Sequence, residues 1–219
     1  MRHRLRKRGL LRRRARDAVV GALAAAVVFC LAACGSDDRA SRHTTFVATA
    51  ESVSVMDAEP PAGWVEIAQD PDPGIEYLAS ADGSAGFTGA SVRATRIAPD
   101  ILELNGYWVE DHPDTFDLDA IQRSWVGRTQ AYGQNDQVTE LPERMIDGNP
   151  ARGYSYISTR EDDTYYEMWI VGRPDGLWRI TFNAPHGEDS LPAGLTETFL
   201  DSITWATPTP TGATPSVSR

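Results

Sequence analysis

Few side chains in this sequence could act as nucleophiles. The 219 residues contain two cysteines, Cys30 and Cys34, and one lysine, Lys7. All three lie in the first 34 residues, so the rest of the chain offers no thiol and no lysine amine for covalent catalysis. Schiff-base enzymes, Ser-x-x-Lys acyl-enzymes and P-loop nucleotide sites are thereby excluded. The remaining chemistry is that of Cys34 itself and of the carboxylates, histidines and aromatic rings that follow it.

The residues before Cys34 are ordered as in a secretory signal. Residues 1–17 include nine Arg or Lys and one acid, Asp17, and residues 18–33 are apolar. A cationic segment stays in the cytoplasm while the apolar one enters the bilayer. The apolar run is shorter than the roughly 20 residues that a spanning helix needs. We therefore predict a signal peptide over residues 1–33.

The signal ends in Leu31-Ala-Ala-Cys34, followed by Gly35. This pattern resembles the lipobox of bacterial lipoproteins, in which Leu and two small residues precede the cysteine. The resemblance implies that the Cys34 thiol receives a diacylglyceryl group and that the chain is then cut before Cys34. The alternative is a signal anchor that is never cut. We expect lipidation at Cys34 and a lipid-anchored location on the extracytoplasmic side of the cell membrane, by Sec or twin-arginine export.

Cleavage would make the chain strongly acidic. Residues 1–33 carry nine of the 21 basic and one of the 31 acidic residues, so their loss lowers the formal charge from −10 to −18. An acidic surface repels nucleic acid, which predicts that the chain has no nucleic-acid partner. Since Cys30 would be removed and Cys34 acylated, no disulfide is possible and stability must come from a hydrophobic core.

No group of ligands marks a metal or cofactor site. The histidines after the signal are far apart and form no HExxH or Cys/His cluster: His43, His112 and His186. Asp70, Asp72 and Asp82 could gather around Ca²⁺, but the later ligands of an EF-hand loop are missing. An acidic turn is the simpler interpretation. We expect no cofactor and no metal.

Catalytic motifs are missing as well. Asp111-His112 and Ser124 have the residue types of a triad, but no Gly-x-Ser-x-Gly elbow is present and Ser124 falls within a predicted helix. A hydrolase that uses two Asp or Glu residues stays open, because carboxylates are frequent here and their spacing is uninformative. We predict no catalytic residue and a protein that is not an enzyme. Three glycines lack the nucleotide-binding spacing: Gly83, Gly86 and Gly89.

Aromatic residues are concentrated in two neighbouring predicted strands: Tyr154, Tyr156, Tyr165, Tyr166 and Trp169. Because strand side chains alternate in direction, some of them must point to the outer face of a sheet. Aromatic rings with polar tips are favoured at interfaces and ligand clefts. Packing beneath helices is the other explanation.

The elements that would position these residues begin with strands at Trp64–Ala68, Ile75–Leu78 and Phe87–Ile97. A helix is predicted after Pro113, with a stop at Gly133. Its apolar residues have helical spacing: Leu118, Ile121, Trp125 and Tyr132. A last helix is predicted from Ser190 to Ile203. Its apolar positions are Leu191, Leu195 and Phe199.

Two hairpins lie between the helices. Asp147-Gly148 predicts a two-residue turn between strands Val138–Ile146 and Ala151–Thr159. Glu161–Asp163 is a further turn. Arg173–Gly176 predicts the second hairpin, with Arg173 opposite Leu177. That register would pair Ile170 with Ile180 and Met168 with Phe182, and would give one apolar face: Tyr166, Met168, Ile170, Trp178, Ile180 and Phe182.

This order of elements predicts one α+β domain over residues 62–205, an antiparallel β-sheet flanked by helices. Residues 34–61 are polar and predict a flexible tether, in which Val53 and Val55 leave room for a short strand. Residues 206–219 are rich in Thr and Pro and predict a disordered tail.

Four segments of the predicted domain carry a family resemblance: Gly63-Trp64, Ile146–Arg152, Trp178–Phe182 and Phe199–Ile203. They resemble segments of actinobacterial lipoproteins of the LpqN/LpqT type, which have the PsbP-like fold. The resemblance covers roughly residues 60–205. It implies an α/β/α sandwich and a non-catalytic docking role, and it transfers no binding residue.

The sequence thus predicts a class of function. We expect a lipid-anchored, non-catalytic binding or assembly module, whose partners are the membrane, through the lipid, and an envelope protein or wall component. One alternative is a carboxylate-based cell-wall hydrolase, which needs a cleft with a carboxylate of raised pKa. Another is a carrier of a small apolar ligand, which needs an internal apolar cavity.

Overall fold

A seven-stranded sheet with helices on both faces organises the chain. The computed structural model describes residues 43–49, 52–68, 74–84 and 89–206. Its helices are α1 (Pro99–Leu104), α2 (Leu118–Ala131) and α3 (Leu195–Ser202). Its strands are β1 (Thr45–Val47), β2 (Val55–Asp57), β3 (Val65–Glu66), β4 (Ile75–Ser80), β5 (Ser91–Ile97), β6 (Trp108–Val109), β7 (His112–Asp117), β8 (Asn135–Ile146), β9 (Asn149–Ser158), β10 (Thr164–Arg173), β11 (Gly176–Asn183) and β12 (Thr204–Ala206).

The large sheet has the strand order β3-β4-β5-β11-β10-β9-β8. All neighbouring strands in it are antiparallel. Helix α3 packs on one face, and α1 and α2 pack on the other. The predicted fold class, an α+β antiparallel sheet between helices, is confirmed. No helix among the described residues is long and apolar enough to cross a membrane.

The hairpin of β8 and β9 forms as predicted. Its turn residues Asp147 and Gly148 have φ values of 45° and 72°. Two successive positive φ angles are what a type I′ turn requires, and Asp-Gly adopts them at low cost. The turn sequence therefore determines this connection locally.

The hairpin of β10 and β11 also forms, but the predicted register is wrong by one residue. Arg173 pairs with Gly176 rather than with Leu177, so the turn contains two residues instead of three. A shift of one residue turns every side chain of a strand to the opposite face. Ile180 therefore lies opposite Trp169. The residues of these two strands that share the α3 face are Glu167, Trp169, Val171, Trp178, Ile180 and Phe182.

Two neighbouring residues and one distant residue hold the tighter turn. The Asp175 side chain is buried and accepts hydrogen bonds from the Ser54 backbone N–H at 2.8 Å and from Trp178 Nε1 at 3.3 Å. Arg173 forms an ion pair with it at 3.3 Å. A three-residue loop would move Asp175 away from these partners. The partner at Ser54 lies too far off in sequence for a local pattern to reveal it.

Two hydrophobic cores lie on the two faces of the sheet. The core on the α3 side is the larger, and it buries Trp169, Trp178 and Phe199. The core on the other side joins α1 and α2 to the sheet through Leu102, Leu118 and other apolar residues. Trp169 is thus covered, in agreement with the packing explanation for that residue.

The described part of the predicted tether over residues 34–61 is not a tether. Strand β1 pairs with β7, and β2 pairs with β12. Phe46 and Met56 are buried, one in each core. These short strands owe their structure to apolar side chains that enter distant cores. The folded domain therefore begins well before residue 62 and includes Ala206 of β12, whereas residues 207–219 lie outside the described part.

The helices differ from prediction mainly at their ends. Residues 112–117 form β7, so α2 begins at Leu118, capped by the Asp117 side chain, which accepts the Ala120 N–H at 2.8 Å. Leu118 and Ile121 are buried as expected, whereas Tyr132 is 70% exposed beyond the end of the helix. Helix α3 begins at Leu195 rather than at Ser190. Helix α1 was not predicted.

Candidate functional site

A groove opens between α1, α2 and the sheet. It has a volume of about 350 Å³. Its lining residues are mainly apolar and aromatic, with two arginines and no acid: Ile97, Ile101, Leu102, Asn105, Tyr107, Trp125, Arg128, Thr129, Tyr154, Met168 and Arg179. Ligand sites typically have a predominantly apolar lining with a few polar groups and a volume of about 300–1,000 Å³. The groove has that character at the small end of the range.

Three adjacent strands supply the floor of the groove. In the sheet register Met168 of β10 lies between Tyr154 of β9 and Thr181 of β11. The Tyr154 hydroxyl lies 3.1 Å from Met168 Sδ and 3.3 Å from Thr129 Oγ1 of α2. These contacts fix the side chains where the last turns of α2 meet the sheet, so the floor is preformed.

Beyond the end of α2 the same face of the sheet carries a row of tyrosines. The rings of Tyr154 and Tyr156 are 6.2 Å apart, and those of Tyr156 and Tyr166 are stacked at 5.1 Å with an interplanar angle of 8°. Burial, followed by the nearby Tyr154 and Glu161, raises the pKa of Tyr156 to about 12. The Tyr154 and Tyr166 hydroxyls already donate to Met168 Sδ and to the Glu161 carboxylate, so these two tyrosines offer a ligand mainly their ring surfaces.

Arg179 supplies positive charge to the groove. It is half-buried, and its Nε donates to Thr95 Oγ1 at 3.1 Å. Burial and then the neighbouring Arg93 lower the pKa of Arg179, which the nearby Tyr154 partly offsets. The sequence predicts tyrosines on an outer face of the sheet, but no motif in it singles out Arg179. Its only signal in the sequence is that this charged residue interrupts the apolar residues of β11.

A second, smaller cleft of about 230 Å³ lies on the α3 face and contains Glu167 and Glu197. Burial raises the pKa of Glu167, and Glu197 adds to the effect. Trp169 Nε1 donates to its carboxylate at 2.6 Å and the Tyr165 hydroxyl at 3.0 Å. Both oxygens of the Glu167 carboxylate therefore accept hydrogen bonds. These bonds hold the carboxylate among the side chains that pack between the sheet and α3.

His43, Asp117 and Asp119 form a grouping that the sequence does not predict, because His43 belongs to the segment predicted as a tether. Their potential ligand atoms all lie within 4.8 Å of one another, a geometry that could hold a metal ion. Each carboxylate already has other partners: Asp117 caps α2, and Asp119 accepts the Thr44 N–H at 2.8 Å and Arg152 Nε at 2.6 Å. These hydrogen bonds explain the grouping as a set of contacts that connects the segment beside β1 to α2.

The residues considered for a triad do not form one. Ser124 Oγ lies 3.2 Å from the Tyr107 hydroxyl, and no hydrogen bond joins it to His112 in the described part of the chain. Asp111 and His112 are exposed at the β6–β7 turn.

The considered Ca²⁺ site lies only partly within the described residues. Asp82 is described, whereas Asp70 and Asp72 are not. The Asp82 carboxylate accepts the backbone N–H and hydroxyl of Ser84, both at 2.9 Å, and the bonds to Ser84 lower its pKa. These contacts are those of an acidic turn. Gly86 and the lipidation site predicted at Cys34 also lie outside the described residues.

Comparisons with known proteins give similarity only among solved structures, since no family model and no curated protein matches the chain. A crystal structure from Bacteroides thetaiotaomicron is 15% identical with a TM-score of 0.36; the match covers 70% of this chain and 46% of that one. LpqN, involved in cell envelope biogenesis of Mycobacterium tuberculosis, is 12% identical with a TM-score of 0.43, covering 75% and 90%. Cyanobacterial PsbP (CyanoP) from Synechocystis is 14% identical with a TM-score of 0.38, covering 72% and 96%.

These similarities concern fold and carry no argument about what the chain binds. The chain spans less than half the length of the Bacteroides protein, at 46%. An LpqN and a PsbP structure are among these similar structures, but they do not show that the chain is an LpqN/LpqT-type lipoprotein. Membership of that family stays a prediction.

Proposed function

We propose that this chain is a lipid-anchored, non-catalytic binding module on the extracytoplasmic side of the cell membrane. The signal over residues 1–33 and the Leu31–Cys34 motif support export and anchoring. The groove between α1, α2 and the sheet supports binding. Its partner is an envelope protein or a wall component, because those are the molecules that a domain anchored at this surface meets.

The preformed groove is the observation that carries the binding function. Trp125, Tyr154 and Met168 give it an apolar wall, and Arg179 gives it a fixed cation. No carboxylate lines it, so it offers no general acid or nucleophile of the kind that hydrolysis needs. It opens to solvent rather than enclosing a space, which suits reversible docking better than storage of an apolar cargo.

A wall hydrolase is the second candidate, and Glu167 is the observation in its favour. Its raised pKa and its neighbour Glu197 meet part of the requirement for a carboxylate pair. The hydrogen-bond donors on Glu167 argue against a hydrolase, because they hold the carboxylate among packed side chains. Turnover of a wall glycan by the purified protein, lost in Glu167→Gln, would establish the hydrolase and overturn the binding module.

Photo-crosslinking in intact cells tests the binding module. Thr129 lines the groove on α2, whereas Thr198 is an exposed threonine of α3 on the opposite face. With p-benzoylphenylalanine at either position, we expect a defined adduct from position 129 and none from position 198. Equal labelling at both positions, or none at 129, would contradict the groove as the binding surface.

The anchor is tested separately by mass spectrometry of the membrane fraction. We expect an N-terminal peptide that begins at a lipid-modified Cys34, and release of the Cys34→Ser chain from the membrane. An unmodified Cys34 in a peptide still joined to residues 1–33 would contradict lipidation and leave the groove hypothesis standing.

A further inference from the structure

The charge of the groove is opposite to that of the chain. The whole sequence has a formal charge of −10, yet the groove lining includes Arg128 and Arg179 and no acid. Arg93 lies on the same face of the sheet, since Thr181 pairs with it across β5 and β11. An acidic chain that gathers cations in one aromatic groove creates a local site for an anion.

Arg179 has unused capacity for hydrogen bonding. Its Nε donates to Thr95, and among the described residues its side chain makes no other hydrogen bond and no ion pair. Its two terminal amino groups can still donate, and two parallel N–H groups match a carboxylate, sulfonate or phosphate. A half-buried guanidinium next to another arginine is destabilised by burial and repulsion, and an anion would offset both.

The rest of the lining recognises a ring rather than a bare ion. Trp125, Tyr107 and Tyr154 present aromatic surfaces, and Met168 lies beside Tyr154. Thioether and aromatic groups both pack well against rings. A volume of about 350 Å³ admits one group of small-molecule size rather than a whole protein surface, so the partner inserts a single group into the groove.

We propose that the envelope partner inserts into the groove an anionic group that carries an apolar ring, with its charge on Arg179 and its ring against Trp125 and Tyr154. This inference rests on the proposed binding function of the same groove and specifies the chemistry of its ligand. It predicts that both halves of the ligand are needed, since the cation and the aromatic wall act on different parts of it.

The test uses the full lipidated chain in phosphatidylcholine nanodiscs, with empty nanodiscs as the blank. Naphthoate, its neutral isostere naphthamide, and acetate are titrated by calorimetry. We expect naphthoate to bind at least about tenfold more tightly than naphthamide, and acetate not to bind, because a hydrogen bond to a charged group contributes on that order. Arg179→Gln should remove the preference for naphthoate.

Arg123→Gln is the matched control, because it removes the same charge from an exposed arginine of α2 outside the groove lining. It should leave the preference for naphthoate unchanged. Equal binding of naphthoate and naphthamide, or an equal loss in both variants, would overturn the anion inference while leaving the groove as a binding surface. Absence of binding by all three probes would also overturn it, and a position-129 adduct in cells would then show that the binding module itself survives.

Discussion

At the scale of single residues, Gly153 shows how closely the sheet and its aromatic side chains are fitted. A Cβ on Gly153 would lie 2.8 Å from the indole of Trp169, whereas a Cβ on Gly127 of α2 would meet nothing within 4 Å. Gly153→Ala should lower the free energy of unfolding by about 1–3 kcal/mol, the usual cost of overpacking. Gly127→Ala should raise it by about 0.5–1 kcal/mol, because alanine favours a helix interior. Chemical denaturation of both variants measures this, and equal effects would contradict the packing of Trp169 over Gly153.

Glu167 gives a prediction about pH. Burial raises its pKa in the folded state, so its contribution to stability is full below the unfolded pKa and is lost as the pH rises through the folded pKa. Glu167→Gln removes this titration. The free energy of unfolding of the variant, relative to that of the wild type, should therefore increase from about pH 4 to about pH 8. Denaturation curves across that range test it, and a difference that falls with pH would contradict the desolvation of Glu167.

At the scale of elements, Asp175 connects the N-terminal strand β2 to the β10–β11 turn through Ser54 and Arg173. Asp175→Ala would leave the Arg173 guanidinium buried without its carboxylate and should cost about 3–5 kcal/mol of unfolding free energy. Asp201→Ala is the control, because Asp201 also pairs with an arginine, Arg144, but its side chain is 73% exposed; it should cost less than about 1 kcal/mol. Similar losses in the two variants would show that the buried pair does not hold the turn.

Local signals predicted some elements, and distant contacts determined the rest. The two residues Asp147-Gly148 determine the geometry of their own turn, so the hairpin of β8 and β9 was predictable from the sequence. The register at Arg173 was not, since it depends on the contact of Asp175 with Ser54, 121 residues away. The three-residue strand β1 escaped prediction for the same reason, because it exists only through pairing with β7. Strand β2, which pairs with β12, forms where Val53 and Val55 leave room for a short strand.

At the scale of the whole molecule, the groove assembles residues from Ile97 to Arg179 that no single motif connects. The sequence could indicate tyrosines on an outer sheet face because strands alternate, and Tyr154 and Tyr156 lie there. The sequence could not show that α1 lies over these tyrosines or that Arg179 lies among them. Both placements depend on how β5, β10 and β11 align in the sheet. The candidate site is a product of the tertiary fold, whereas the predicted lipidation of Cys34 depends on a contiguous segment.

Hydrogen–deuterium exchange of the protein in its native membranes, compared with the same protein after purification in detergent, tests the central claim that this groove is the binding surface. Occupancy in the native membrane should slow exchange in α1 and in the second half of α2, and should leave α3 on the opposite face unchanged. Slower exchange confined to α3, or no difference between the two preparations, would contradict the assignment of the groove.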